Sequence, residues 1–165
     1  MKAAAYQHNG EPEVLVYQDV PDPEVGPTTV LIRVAHAALQ GGDLLNRRST
    51  PPSGAAPHVV GYQAAGVIEA VGADEVDLRP GDRVVGFAFA GSHAELFAVE
   101  RDHAYLVPDG LDLSVAAAMP VEFGTAHYGL SNMAGSTRAR RYWCVALRAV
   151  SASPQCNLPT EPAPG

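Results

Sequence analysis

The chain has 165 residues and a formal net charge of −7, from 11 basic and 18 acidic side chains. This length suits one domain with a tail, and the acidic balance argues against a general binder of nucleic acid or anionic membranes, which attract basic surfaces. No apolar run approaches the ~20 residues that span a bilayer, and residues 1–10 lack the apolar core of a secretory signal. The sequence therefore predicts a cytoplasmic protein.

The composition divides the chain into two parts. Residues 136–165 contain both cysteines, the only tryptophan and a net charge of +3, which leaves −10 and no cysteine for residues 1–135. Four of the last twelve residues are proline, a composition typical of disorder. We therefore predict a folded domain over residues 1–135 and an irregular, largely disordered tail over residues 136–165.

Short strands separated by glycine and proline dominate residues 1–110. Val20–Pro27 is rich in proline and predicts a loop, and Arg79–Asp82 predicts a tight turn. Frequent short strands of this kind are typical of a small barrel or a strongly bent sheet, so the predicted fold class is mainly β. The predicted strands are Val14–Tyr17, Val30–Ala37, Gly66–Val71, Arg83–Phe87, Ala94–Val99 and Ala104–Val107.

Helix signals are few. A short helix is predicted over Asp43–Arg48, and a second over Val115–Met119 with Ser114 as its N-cap. A third is predicted to begin at Pro120 and to run to about Asn132. The apolar spacing predicts one buried face on this helix. That face comprises Phe123, Ala126, His127 and Leu130.

Several motifs, taken in order, carry a family resemblance. Gly66-Val-Ile-Glu-Ala-Val-Gly72 is followed by Leu78-Arg-Pro-Gly-Asp-Arg-Val84 and then by Gly91-Ser-His-Ala-Glu95. Over about residues 1–135 the chain resembles the N-terminal GroES-like domain of the medium-chain dehydrogenase/reductase superfamily. The opening Gly10-Glu-Pro-Glu-Val-Leu15 and the later Gly124-Thr-Ala126 are similar to its quinone-oxidoreductase, zeta-crystallin-like type.

This resemblance implies a fold and an activity. The fold is a partly open β-barrel with a few short helices, which forms one wall of a cleft opposite a Rossmann domain. The activity is reduction of a small-molecule quinone or activated alkene by hydride from NADPH, and members of the family usually form homodimers. The alternative function is a non-catalytic GroES-like binding or interaction module, favoured by the charge of −10 and the apolar segment Val115–Met119.

Four residues are candidates for the site that the resemblance implies. It places a cleft amide at Gln40 and a carboxylate at Asp43. Relatives often carry an aromatic hydroxyl where this chain has Leu45, and Tyr62 is the candidate to replace that donor. Thr125 takes the position that contacts the nicotinamide of the cofactor.

Each candidate also has a structural interpretation that the sequence leaves open. Asp43 is equally suited to capping the helix that follows it, and Gln40 to bonding loop backbone groups. Tyr62 is equally suited to packing with its hydroxyl at the surface. Thr125 is equally suited to bonding the preceding turn of its own helix.

No metal site is predicted. Zinc-dependent members of the superfamily have a Cys shortly before an Asp and a His-Glu pair after the next glycine. This chain has Gln40-Gly-Gly-Asp43 and Gly61-Tyr-Gln63, so the thiolate and imidazole that zinc prefers are missing. The histidines show no ligand spacing and are predicted to be solvated or hydrogen-bonded. They are His8, His36, His58, His93, His103 and His127.

The tail lacks a feature that the family has at this point. Members continue into a strand, a glycine-rich loop and a helix that hold the cofactor pyrophosphate, and residues 136–165 contain no such loop. GC-rich codons compatible with Leu147–Ser153, translated from the third base onward, read Ala-Gly-Gly-Val-Gly-Val. We therefore expect a frameshifted product whose family sequence ends near Gly135 and which is inactive as a short chain. A genuine, divergent C-terminus is the alternative.

Overall fold

The computed structural model describes residues 1–49 and 56–129. The predicted tail, the domain boundary at residue 135, Leu130 and the predicted end of the third helix lie outside these residues. Met1–Val121 forms one compact unit, and the unit that begins at Glu122 is described only as far as residue 129.

The described residues form two antiparallel sheets, three short α-helices and two 3-10 helices, at Pro12–Val14 and Arg101–His103. The strands are β1 Lys2–Tyr6, β2 Val16–Asp19, β3 Thr29–Ala38, β4 His58–Val59, β5 Gln63–Val71, β6 Arg83–Phe87, β7 Leu96–Glu100 and β8 Ala104–Leu106. The helices are α1 Gly41–Ser49, α2 Leu113–Ala117 and α3 Pro120–Tyr128. One sheet has the strand order β2-β1-β4 and the other β7-β3-β5-β6-β8. The predicted mainly β fold with a few short helices is confirmed.

The two sheets are joined along β1. The backbone N–H of Ala4 donates to the carbonyl oxygen of His93 at 2.9 Å, and that of Glu95 donates to Lys2 at 3.0 Å. Strand β1 was not predicted, because its sequence Lys-Ala-Ala-Ala-Tyr has no β-branched residue and no apolar alternation. Its pairing with β2, β4 and the chain before β7 forms the strand despite this weak local preference.

The main core lies within the larger sheet. Gly66 on β5 allows close contact with β3, because a Cβ at this position would overlap the carbonyl oxygen of Arg33. Around this pair of strands, nine residues that are at most 3% exposed form one apolar cluster. They are Val30, Ile32, Ala64, Ile68, Leu78, Val84, Phe97, Val99 and Ala104.

Helix α2 covers a second, smaller apolar cluster. Ala116 and Ala117 pack there with Ala65 and Val107. The N-cap of α2 is Asp112, whose Oδ1 accepts both the backbone N–H of Ser114 at 2.7 Å and its hydroxyl at 2.6 Å. The prediction of Ser114 as the cap was therefore wrong, although the cap bond does involve it. These bonds hold the pKa of Asp112 below its usual value.

Helix α3 exposes part of the face that was predicted to be buried. Ala126 is buried, whereas Phe123 is 61% exposed and His127 is exposed. Apolar residues lie around the whole of this nine-residue helix, so their spacing does not select one face. Among the described residues, no helix is long and apolar enough to cross a membrane.

Candidate functional site

Helix α1 begins with a side-chain cap, in which Asp43 bonds the backbone of Gln40. Asp43 Oδ2 accepts the backbone N–H of Gln40 at 2.9 Å, and the Asp43 N–H donates to the Gln40 carbonyl oxygen at 3.1 Å. This is the half of a capping box in which the side chain at N3 bonds the N-cap backbone. Asp43 therefore caps the helix, but its Oδ1 is buried and has no hydrogen-bond partner in the part of the chain that the structure describes.

Tyr62 lies beside the same helix and is half-buried. Its phenol oxygen accepts an N–H from the side-chain amide of Asn46. Its ring packs on Gly42, where a Cβ would lie 3.0 Å from the ring atom Cε2. A larger residue at position 42 would push the ring away, so the glycine and the amide together set where the hydroxyl lies.

One narrow pocket, which in this structure has no room for a water-sized sphere, brings together two of the four predicted residues. Asp43 and Tyr62 both line it. Gln40 does not, although its Nε2 is buried and has no hydrogen-bond partner within residues 1–49 and 56–129. Thr125 lies on α3, in the unit that begins at Glu122, and is exposed. The other lining residues are Asn46, His58, Val60, Gly61 and Phe89.

The sequence did not single out Asn46 or His58. Asn46 follows Asp43 by three residues, a spacing that places both on one side of a helix and that was a usable signal. His58 is on β4 and packs edge-on against Tyr6, with ring centroids 5.1 Å apart. That contact follows from the pairing of Tyr6 with His58 across two strands, which no local pattern reveals. Burial lowers the pKa of His58, which favours its neutral form.

The wall of the pocket at Gly61 depends on a left-handed backbone. Gly61 has a φ of +102°, and a Cβ there would overlap Ser92 Oγ. The Ser92 N–H donates to the Gly61 carbonyl oxygen at 3.2 Å, and the His93 N–H donates to Val60 at 2.9 Å. The Ser92 hydroxyl is buried and, among the described residues, has no hydrogen-bond partner.

A second cavity, of about 300 Å³, lies beside β1 and includes Lys2, Tyr17 and Glu95 in its lining. Two of its charged groups are already engaged. Lys2 Nζ donates to Asp19 Oδ2 at 2.6 Å, and Glu95 Oε2 accepts the backbone N–H of Lys2 at 2.7 Å. This cavity therefore offers a ligand fewer unused hydrogen-bonding groups than its size suggests.

The residues at the family's zinc-ligand positions do not fit zinc. Gln40 and Tyr62 supply an amide and a phenol, and Gln63 is fully buried with its Oε1 accepting the Val121 N–H at 2.8 Å. Zinc favours thiolate and imidazole ligands instead. Within the described ranges, no group of three or more His, Cys, Asp or Glu residues is placed to hold a metal ion.

The described residues also do not fit the pyrophosphate of a dinucleotide. Helix α1 follows β3 and opens on Gly41-Gly42, but the Asp43 carboxylate lies in its first turn and accepts the backbone N–H of Gln40, which precedes the helix. A negative charge there repels phosphate, which otherwise favours such a helix start. Thr125, exposed on α3, is the single described residue predicted to contact the cofactor.

Comparison with known proteins gives relatives for this fold. The family model of the alcohol dehydrogenase GroES-like domain matches residues 26–109. A quinone oxidoreductase of Pseudomonas aeruginosa is 35% identical over 129 residues, which are 76% of this chain and 38% of the relative. The chloroplastic NADPH-dependent alkenal/one oxidoreductase of Arabidopsis thaliana is 35% identical over 142 residues, which are 79% of this chain and 37% of the relative.

A solved structure agrees with these sequence matches. The crystal structure of a quinone oxidoreductase from Pseudomonas syringae pv. tomato has a TM-score of 0.74 at 29% identity, over 79% of this chain and 41% of that protein. The chain spans about two fifths of the length of these relatives. The matched residues include the motifs from Gly66 to Glu95 and the pocket residues. The chain therefore belongs to the family of alcohol dehydrogenase GroES-like domains, as its resemblance to medium-chain dehydrogenases/reductases predicts.

Proposed function

We propose that the chain is the acceptor-binding part of a zinc-independent, NADPH-dependent reductase of quinones or activated alkenes. The observation that carries the proposal is that Asp43 and Tyr62, which come from two separate motifs, line one pocket. The activities after which the quinone oxidoreductase and alkenal/one oxidoreductase relatives are named support the same substrate classes.

The pocket residues suit a carbonyl compound that gains negative charge on reduction. In the proposed complex, the Tyr62 hydroxyl donates to the acceptor's carbonyl oxygen, where the charge develops. Asp43 Oδ1 accepts from any hydroxyl that the bound molecule carries. NADPH, when bound, supplies the hydride. Thr125 is the one described residue that we propose contacts it.

Zinc independence is part of the proposal and has a chemical basis. A metal-dependent member polarises the carbonyl with a Lewis acid. Here a phenol and amides occupy the ligand positions, and hydrogen bonds from these groups take over the stabilisation of the oxygen. Adding zinc to the chain is therefore expected to change neither its stability nor its affinity for a quinone.

We also propose that the 165-residue chain by itself shows no measurable NADPH turnover, because the sequence of residues 136–165 has no glycine-rich motif of the kind that binds the pyrophosphate. The assay is oxidation of NADPH at 340 nm with duroquinone as acceptor. Reduction of the quinone at an enzymatic rate would contradict this part of the proposal and leave the pocket assignment in place.

The pocket assignment is tested by equilibrium binding of duroquinone to three forms of the chain. Tyr62→Phe is expected to weaken binding by about 1 kcal/mol, the usual net value of one hydrogen bond. Ser49→Ala is the matched control, because this hydroxyl also lies on α1 but bonds the Leu45 carbonyl oxygen at 2.7 Å and does not line the pocket. Equal affinity of Tyr62→Phe and wild type for duroquinone would contradict the proposal.

Exposed apolar side chains favour a second candidate, the non-catalytic interaction module. Leu39 is 79% exposed, Leu45 is 66% exposed and Phe89 is 88% exposed. On α2, Val115 and Met119 next to it are 52% and 39% exposed. Size-exclusion chromatography distinguishes the cases. A defined oligomer that fails to bind duroquinone supports the module, and a monomer that binds duroquinone contradicts it.

A further inference from the structure

The side-chain amide of Asn46 decides in which direction the Tyr62 hydroxyl is free to donate. Asn46 Nδ2–H donates to the phenol oxygen. A phenol oxygen that accepts such a bond still carries its own hydrogen. Tyr62 lines the narrow pocket together with Asp43 and His58, so this hydrogen can reach an acceptor atom there once the lining side chains move apart to admit one.

Three further contacts fix this pair of side chains. The Asn46 backbone carbonyl oxygen accepts the hydroxyl of Tyr6 at 3.3 Å, and Tyr6 is only 1% exposed. The ring of Tyr6 in turn packs on His58. On the other side, the Tyr62 ring packs on Gly42. These contacts hold the Asn46 backbone and the Tyr62 ring, so the direction of the hydrogen bond between the two side chains decides whether the Tyr62 hydrogen is left for a ligand.

We propose that Asn46 is a positioning residue that acts on a pocket ligand only through Tyr62, and that the ligand group it prepares the pocket for is a carbonyl oxygen. This inference rests on the proposed function, in which Tyr62 is the donor to the acceptor. It adds a residue that the motifs did not indicate and that acts through Tyr62, although Asn46 also lines the pocket.

An isosteric change separates positioning from a packing role. In Asn46→Asp the side chain keeps its shape, but a carboxylate only accepts, so it takes the phenol hydrogen and leaves the pocket without that donor. In Asn46→Ala the hydroxyl is free to rotate and can still donate. If Asn46 only filled space, the isosteric Asp would be the milder change of the two. If it positions Tyr62, Asp is the more severe.

The probe is cyclohexanone, a saturated ketone that has the carbonyl acceptor and no alkene or quinone to reduce. Its dissociation constant is measured by NMR titration for wild type, Asn46→Asp, Asn46→Ala, Tyr62→Phe, the Asn46→Asp/Tyr62→Phe double variant and the Ser49→Ala control. We expect Asn46→Asp and Tyr62→Phe each to weaken binding about three- to tenfold, Asn46→Ala to weaken it less, and the double variant to bind no more weakly than Tyr62→Phe.

Three results would overturn the inference. They are wild-type affinity in Asn46→Asp, losses that multiply in the double variant, and equal cyclohexanone affinity in every variant. Multiplied losses would show that the two residues act independently. Running duroquinone in parallel separates this inference from the proposed function. If the variants rank as expected in their affinity for cyclohexanone but duroquinone does not bind, only the proposed function fails.

A ligand-free measurement covers the case in which Asn46→Asp does not fold. Solvent exchange of the Asn46 side-chain amide protons is followed by NMR in wild type and in Tyr62→Phe. Loss of the phenol oxygen removes the acceptor of one of these protons, so we expect faster exchange in Tyr62→Phe. Equal exchange rates would overturn the inference without any ligand present.

Discussion

The β3–β5 region and the corner around Tyr62 differ in the kind of atom that they bury. Around β3 and β5 the buried residues are apolar and packed against each other. The corner between α1, β4 and Tyr62 contains or adjoins buried polar atoms without hydrogen-bond partners in the described chain: Gln40 Nε2, Asp43 Oδ1 and Ser92 Oγ. Such an atom costs about 1–3 kcal/mol. The first region therefore supplies stability, and the second gives some of it up. Of the three atoms, Asp43 Oδ1 is the one whose residue lines the pocket.

The largest expected effect is in the stable region, at Gly66. In Gly66→Val the new Cβ overlaps the carbonyl oxygen of Arg33, so β3 and β5 cannot keep their pairing. We expect a loss of more than ~4 kcal/mol in the free energy of unfolding, measured by urea denaturation with circular dichroism. Gly41→Ala is the control, since a Cβ there meets no atom within 4 Å. A Gly66→Val variant as stable as wild type would contradict the described register.

A smaller loss of stability, without any loss of binding, is expected at Ile32. This side chain is fully buried in the main cluster and does not line the pocket. Ile32→Ala should lower the free energy of unfolding by about 2–5 kcal/mol, from lost burial and the cavity left behind. Duroquinone affinity, measured where the variant is still folded, should equal that of wild type. Weaker binding in proportion to lost stability would show that the two regions are not separate.

Asp43→Asn should weaken ligand binding with little loss of stability, the reverse of the result expected for Ile32→Ala. The Asn Oδ1 can still accept the Gln40 N–H, so we expect the free energy of unfolding to change by less than ~1 kcal/mol. The unpaired oxygen is replaced by an N–H donor, so a hydroxyl-bearing ligand loses its acceptor. The expected result is weaker binding of durohydroquinone, the reduced form of duroquinone, with little change for duroquinone itself. Equal loss for both molecules would place Asp43 outside direct ligand contact.

The smallest expected effect is the pH dependence that His58 contributes. Burial lowers its pKa in the folded state, so the unfolded chain binds a proton more readily. Stability is therefore lost as the pH falls from the unfolded pKa of ~6.5 toward the folded value. His58→Phe should remove this part of the acid sensitivity, measured as the urea midpoint between neutral pH and mild acid. An unchanged pH dependence in this variant would contradict the burial of the imidazole.

The sequence could predict the features that local patterns encode, and it could not predict those that depend on pairing between distant segments. The short strands β3 and β6 and the Pro-Gly turn at Arg79–Asp82 were predicted from local patterns, and the structure confirms them. In the turn, the Asp82 N–H donates to the Arg79 carbonyl oxygen at 3.1 Å and Gly81 has a φ of +97°. Asp43 and Tyr62 were found because motifs contain them. Neither β1 nor His58 was found, because pairing between distant segments creates both.

The most direct test of the pocket as a binding site is a backbone chemical-shift map of the ¹⁵N-labelled chain titrated with duroquinone. The amides of Asp43, Asn46, His58 and Tyr62 should shift together along one binding curve, because all four residues line the pocket. Shifts centred instead on Tyr17 and Glu95, in the second cavity, or no saturable shifts at all, would contradict the proposal.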